Sequence, residues 1–318
     1  MSEILDIAVI GGGPAGMTAA LYAARARARV VVFESAMPGG QIVKTELVEN
    51  YPAFPDGVEG AVLGEAMQRQ AERFGAEFRS FSPVESLRRE GEGFVLVADE
   101  DEITAKAVIL ATGAVPRKLG VPGEDEFTGR GVSWCATCDG ALFRGKVVAV
   151  VGGGDAAAQE AEFLTKFASY VYLVHRRDEL RATECLQEVC VANPLIEYRL
   201  SRTVSEIVGQ DGKVHGLRIP STKGEPEEYL EVSGVFIFVG VDPMSELVKD
   251  LTELTPAGFV KVDHEGRTSV PGLWAAGDVT DGALKQVVTS VGQGAAAAFD
   301  ALHYLDLKAM EARAAESA

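Results

Sequence analysis

Residues 6–34 read DIAVIGGGPAGMTAALYAARARARVVVFE. Asp6–Ile10 is apolar enough for a buried parallel strand. Gly11-x-Gly13-x-x-Gly16 follows as a turn, and Pro14 suits the first turn of a helix because it has no N–H to leave unpaired. Alanine and leucine carry that helix to about Arg27, and Val30–Phe33 forms a second strand. The glycines permit a tight turn and let a pyrophosphate approach the helix N-terminus, where free N–H groups favour an anion. Glu34 lies 23 residues after Gly11, where a carboxylate meets ribose hydroxyls. The fold expected from this stretch is an α/β dinucleotide-binding domain, with Gly11, Gly13, Pro14, Ala15, Gly16, Glu34 and Ser35 at the ligand.

The same layout returns at residues 146–177, KVVAVVGGGDAAAQEAEFLTKFASYVYLVHRR. Gly152-x-Gly154-x-x-Ala157 follows a strand at 147–151, a helix is expected over 155–167, and the next strand covers 170–174. Counting 23 from Gly152 reaches His175 rather than an acid, and Arg176, Arg177 and Arg181 follow. A carboxylate there would repel a 2′-phosphate, whereas guanidinium groups bind one through forked, charge-assisted hydrogen bonds. This second site, with Gly152, Gly154, Asp155, Ala156, His175 and the three arginines, reads as one for NADPH. The first reads as one for FAD.

Two further segments extend the flavin site. Ala107–Leu110 runs into Ala111-Thr112-Gly113, and the strand in GLWAAGDV ends in Gly277-Asp278. Glycine after a strand lets backbone approach a ligand, and the acid can meet a polyol chain. Because Gly277 lies beyond the second nucleotide motif, the first domain is expected to be discontinuous, residues 1–114 with 245–318. The second, 115–244, is then inserted into it through two short Pro/Gly-containing joints.

Composition bounds the rest. The 318 residues suffice for two domains, and 47% apolar with 24% charged residues is globular. A net charge of −17 disfavours nucleic acid as a partner. No run of about 18 apolar residues suggests a membrane span, and the N-terminal sequence does not resemble a signal peptide. Four cysteines do not make a disulfide framework, so a cytoplasmic location is expected. There a Cys-x-x-Cys pair, Cys135 and Cys138, is metal-binding or redox-active. Cys185 and Cys190 could complete a zinc set only if they converged. On a helix, five residues separate them by about 140° around the axis, which argues against it.

These motifs in this order resemble the bacterial low-molecular-weight thioredoxin reductases over about residues 5–305. The resemblance rests on Gly-Gly-Gly-Pro-Ala-Gly (11–16), Gly39-Gly40-Gln41, Asn50-Tyr51-Pro52, Ala111-Thr112-Gly113, Cys-Ala-Thr-Cys-Asp (135–139), Gly-Gly-Gly-Asp-Ala-Ala (152–157), His-Arg-Arg-x-x-x-Arg (175–181), Ala-Ala-Gly-Asp (275–278) and Lys285-Gln286. It implies a homodimer containing FAD that passes electrons from NADPH through flavin to its own disulfide and then to thioredoxin. Gly40, Gln41, Asn50, Lys285, Gln286 and Val287 would join the flavin site. Cys138 would be the sulfur nearest flavin, Cys135 would attack thioredoxin, and Asp139 would be the general acid/base. Phe81, Phe143, Arg73 and Arg130 match positions that hold thioredoxin in that family. Two residues depart from its pattern: Met244 stands where asparagine is usual, and Lys285 where arginine is.

Competing readings fit less well. A flavin reductase for ferredoxin would lack this Cys-x-x-Cys, whereas a flavin reductase for another disulfide protein would keep it and stays as the alternative. A peroxide-reducing relative would need an extra N-terminal region before the first strand at Asp6. A dithiol oxidase would lack the three arginines. A nucleotide-linked redox sensor keeps every motif but does not turn over.

Overall fold

The computed structural model describes residues 4–45, 47–282 and 284–316. The chain divides into two compact units, Met1–Val115 with Asp242–Ala318, and Pro116–Val241. The helices are α1 (Pro14–Arg25), α2 (Gly60–Glu72), α3 (Ala136–Asp139), α4 (Asp155–Leu164), α5 (Glu184–Ala192) and α6 (Val287–Glu316).

In the first unit, Leu5–Ile10 lies between Val30–Phe33 and Asp101–Leu110, parallel to both. Glu77–Arg79 extends the parallel sheet on one side and Leu273–Ala275 pairs with Asp101–Leu110 on the other. Val84–Glu90 and Gly93–Ala98 add an antiparallel flap. Strands covered on both faces must be apolar along their whole length. Val30–Phe33 is accordingly buried at every position. Small residues bring α1 close to the sheet: Ala15, Ala19, Ala20 and Ala23 share a core with Ile7, Val9 and the alanines of α6.

Helix α1 stops at Arg25, two residues before the end expected from sequence. Ala28 N–H donates to Ala23 O and Arg27 N–H to Ala24 O, with Arg27 at φ +65°. This is the Schellman geometry, here without the usual glycine. Helix α4 likewise ends at Leu164 rather than 167, where the Thr165 hydroxyl donates to Glu162 O. The tail stays helical to Glu316, consistent with its helix-forming alanine, glutamate, lysine and arginine; the last two residues lie outside those described.

Asp300 anchors α6 to the sheet. Its carboxylate accepts from Arg267 Nε (2.6 Å) and Nη2 (2.5 Å) and from the buried Trp274 Nε1 (2.9 Å). The Arg267 hydrogen bonds hold this carboxyl below the usual carboxylate range, against the opposing effect of burial. A carboxyl with a depressed native pKa stabilises above its unfolded value, and that contribution disappears as pH falls through the native value. Asp300→Asn turns an amide N–H₂ toward donors and should cost about 2 kcal/mol, since Arg267 is half-exposed. Urea unfolding at neutral pH checks this, and the variant should lose less stability than the parent on acidification.

The second unit repeats the nucleotide-binding plan. Val147–Gly152 lies between Tyr170–Val174 and Gly234–Phe238, parallel to both, with Ile196–Arg199 and Val132–Ser133 outside them. A three-stranded antiparallel sheet, Glu206–Gln210, Lys213–Ile219 and Glu228–Glu231, supplies the remaining wall. Within the first unit, Met244 N–H donates to Gly113 O. Within the second, Arg117 N–H donates to Gly240 O. The two chain passages thus run side by side where they leave each unit.

Candidate active site and nucleotide sites

The first motif is shaped by backbone crowding. A Cβ on Gly11, which has φ +105°, would lie 2.3 Å from Ala111 O, and one on Gly16 would lie 1.9 Å from Gly11 O. Only glycine lets strand, turn and helix approach this closely. The N-terminus of α1 begins at Pro14, its N-cap Gly13 lends no side chain, and no acid sits in the first turn. Its free N–H groups therefore suit an anion.

Glu34 closes the opposite side. Its Oε2 accepts from Gly12 N–H (2.7 Å), and its Oε1 accepts from Ala36 N–H (2.9 Å) and Ser35 Oγ (3.2 Å). Gly40 and Gln41 begin a 3₁₀ turn packed near Gly13. Asn50 Nδ2 donates to Gln286 Oε1 (3.0 Å), joining two expected flavin residues 236 positions apart. Val287 packs on the same small cluster as Ile42 and Leu63.

Ala111 and Thr112 follow the strand to Leu110, and the Thr112 hydroxyl donates to Met244 O (2.6 Å). This contact uses only the backbone of residue 244, so methionine keeps it. Gly277 N–H is held by Gln293 Oε1 (2.8 Å). Burial pushes the Asp278 carboxyl up, and the nearby Lys285 ammonium pulls it back down. Lys285 Nζ donates to Thr280 O (2.5 Å) and lies 4.6 Å from the centre of the Phe259 ring. The first unit therefore brings its expected flavin residues to one end of the sheet: an uncapped helix start, a carboxylate after the second strand and a half-buried acid after the last.

In the second unit, α4 starts at Asp155 after N-cap Gly154, beside which a Cβ would meet nothing within 4 Å. Asp155 Oδ1 accepts from Thr183 N–H (2.7 Å), and Ala156 follows in the same first turn. The His175 ring packs against the backbone of Gly153, where a Cβ would collide with it at 2.2 Å. Burial, reinforced by Arg181, Arg177 and Arg176, pushes the His175 pKa down, so it is neutral and its Nε2 is a buried atom without a partner. Among the described residues, none of the three arginines makes an ion pair.

Cys135 and Cys138 form a disulfide, S–S 2.08 Å. Cys135 is the N-cap of α3, and its Sγ accepts from Cys138 N–H (3.2 Å). Ser133 was not expected from sequence. Its hydroxyl donates to Asp139 Oδ2 (2.5 Å) and its oxygen accepts from Cys135 N–H (3.0 Å). One serine thus ties the acid to the redox turn. The redox turn packs on the nucleotide helix: a Cβ on Gly140 would lie 3.2 Å from Leu164 of α4. Two more buried polar atoms of this unit, Trp134 Nε1 and Glu160 Oε2, have no partner, and burial pushes the Glu160 carboxyl up. Unsatisfied buried groups are uncommon, and a bound ligand is one way to satisfy them. Their residue types alone gave no hint of this.

The remaining cysteines diverge: Cys185 is exposed, and Cys190 is buried with its Sγ donating to Ala158 O. Phe143 corrects one expectation. It is buried edge-on against Phe236 in the core, so it offers no surface to a partner. Phe81 is the reverse, 67% exposed with φ +57°.

Known proteins share this arrangement. Residues 5–294 match the family described as pyridine nucleotide-disulphide oxidoreductase. A thioredoxin reductase of Mycolicibacterium smegmatis is 47% identical over 94% of this chain and 96% of its own length. One of Streptomyces coelicolor is 45% identical over 96% and 95%. The crystal structure of thioredoxin reductase from Streptococcus pyogenes superposes with a TM-score of 0.91 at 43% identity, covering 96% of this chain and 99% of that one. The chain belongs to the pyridine nucleotide-disulphide oxidoreductase family, with the thioredoxin reductases.

Proposed function

We infer that this protein reduces the disulfide of a thioredoxin at the expense of NADPH, with FAD between them. The observation that carries this reading is the Cys135–Cys138 disulfide at the N-terminus of α3, in the same unit as three arginines without acidic partners. The unit Met1–Val115 with Asp242–Ala318 holds the flavin, and the unit Pro116–Val241 holds the nicotinamide nucleotide. When bound, FAD supplies a two-electron relay between NADPH and the disulfide.

The chain's own residues do the rest. The α1 and α4 N-termini hold the pyrophosphates, Glu34 and Asp278 meet hydroxyls, and Arg176, Arg177 and Arg181 grip the 2′-phosphate. Once reduced, the Cys135 thiolate attacks a thioredoxin sulfur, breaking that disulfide and forming a mixed one. Cys138 then attacks the Cys135 sulfur, releases thioredoxin as a dithiol and restores the internal disulfide. Asp139, oriented by Ser133, supplies and recovers the proton at Cys138. Asp139→Asn should lower turnover about 100-fold while NADPH still bleaches the flavin, as stopped-flow absorbance would measure.

With nicotinamide and disulfide in one unit and the flavin in the other, each reaches the flavin in turn unless they approach its opposite faces. The paired passages at Gly113–Arg117 and Gly240–Met244 suit rotation between the units. A cross-link joining the units should stop turnover and leave one half-reaction intact; full-speed cycling of the locked enzyme would contradict rotation.

The protein acts as a cytoplasmic homodimer. No described helix is long and apolar enough to cross a membrane. Exposed apolar side chains on α1 and α6, Tyr22, Phe299 and Leu307, support self-association. Sedimentation at micromolar concentration checks it.

The direct test is simple. Purified protein should be yellow, bleach with NADPH and reduce thioredoxin disulfide over many cycles. A redox sensor would bleach once and stop.

A further inference from the structure

The arginine loop of the second unit contains its own carboxylates. Asp178 and Glu179 lie between Arg177 and Arg181, in the sequence His175-Arg-Arg-Asp-Glu-Leu-Arg181. Acids this close to guanidinium groups would ordinarily pair with them and occupy the fork that an anion needs. Among the described residues, neither acid ion-pairs with these arginines. Asp178 Oδ2 instead accepts from Lys223 Nζ at 3.3 Å.

Lys223 comes from a distant turn that is fixed against the loop by backbone bonds. The Thr222 hydroxyl donates to Arg176 O (3.2 Å), and Thr222 N–H donates to Ser201 O (2.8 Å). Ser201 N–H donates to Arg177 O (2.8 Å) and Arg202 N–H to His175 O (3.0 Å). Arg202 is in turn buried and tied to Glu225 and Glu228, on either side of the segment that follows the turn. The lysine therefore reaches Asp178 from a braced position.

We propose that Lys223 is a specificity-determining residue: by holding Asp178 it keeps Arg176, Arg177 and Arg181 open for a 2′-phosphate. This rests on the NADPH reading above. Without Lys223, Asp178 either pairs with a guanidinium or stands as an uncompensated charge beside a phosphate dianion, and both weaken selection for the 2′-phosphate. The pair is more than half exposed, so the effect is moderate and falls with salt.

The test uses two small probes, adenosine 2′,5′-bisphosphate and adenosine 5′-monophosphate, whose binding to the FAD-loaded protein is measured by calorimetry at low salt. Their affinity ratio isolates the 2′-phosphate and needs no turnover. Lys223→Met should lower the ratio about fivefold, Lys223→Arg should preserve it, and Asp178→Asn combined with Lys223→Met should return it to within about twofold of the parent. If Lys223→Met leaves the ratio unchanged while Arg177→Ala collapses it, the role assigned to Lys223 is wrong and the NADPH reading stands. If the unaltered protein does not distinguish the two probes, both fall together.

Discussion

Replacing Cys138 by serine should lower thioredoxin reduction by at least about 1,000-fold and leave NADPH-driven bleaching of the flavin in place. A dithiol reduces a disulfide in two exchanges, and the second needs a sulfur that can attack the mixed disulfide. Cys138 is held for that attack: its N–H donates to the Cys135 sulfur across the first turn of α3. Serine fits the site, but its hydroxyl neither forms the internal disulfide nor resolves the mixed one. Offered a thioredoxin that lacks its own second cysteine and carries its first as a mixed disulfide with a small thiol, the variant should displace that thiol and hold thioredoxin on Cys135 as a stable covalent adduct, visible by mass spectrometry and reversed by a reducing thiol. Cys135→Ser should be equally inactive and trap nothing, because thioredoxin is attacked from Cys135. Each variant differs from the parent by one atom, at positions three residues apart, so opposite trapping separates the roles from a general loss of structure.

Replacing Arg176 and Arg177 together by alanine should raise the KM for NADPH about 100-fold and leave the much weaker use of NADH within about twofold of its starting value. Each charge-assisted hydrogen bond contributes roughly 1.5–3 kcal/mol, and the lower figure suits exposed side chains such as these. Two such losses correspond to about a hundredfold. The NADH arm matters because a collapsed site would harm both nucleotides. His175, neutral and packed on Gly153, should hold the loop in place in the variant. A protonated histidine there would add a charge near the phosphate but would also have to overcome burial among three arginines.

Much of this architecture could be read directly from residues. The two glycine motifs were legible because their spacing is dictated by backbone collisions, such as Gly16 against Gly11 O, which other side chains cannot relieve. The strand at 30–33 was legible because full burial leaves a continuous apolar run, and that at 170–174 because Val171, Leu173 and Val174 are buried alongside two half-buried tyrosines. Helix ends were less so: α1 closes through Arg27 in a left-handed conformation that sequence usually reserves for glycine. The tail of α6 keeps its helix to Glu316, where its composition favours one and Lys308 pairs with both Glu311 and Glu92. Phe143 and Phe81 show the limit for single aromatics. One lies in the core and the other is exposed, and neither has flanking periodicity that reveals it. Ser133 and Lys223 were missed for one reason. Each acts on a residue that the fold, rather than the sequence, places beside it.

The central claim is that electrons from NADPH reach Cys135 and Cys138 only by way of the flavin. Anaerobic protein, prepared with and without FAD, can be mixed with NADPH, quenched within a second by a thiol-alkylating reagent and digested. The account predicts two alkyl groups on the peptide containing Cys135 and Cys138 in the flavin-loaded sample, and none in the flavin-free one. Equal labelling of both samples, or no labelling of either, would contradict it.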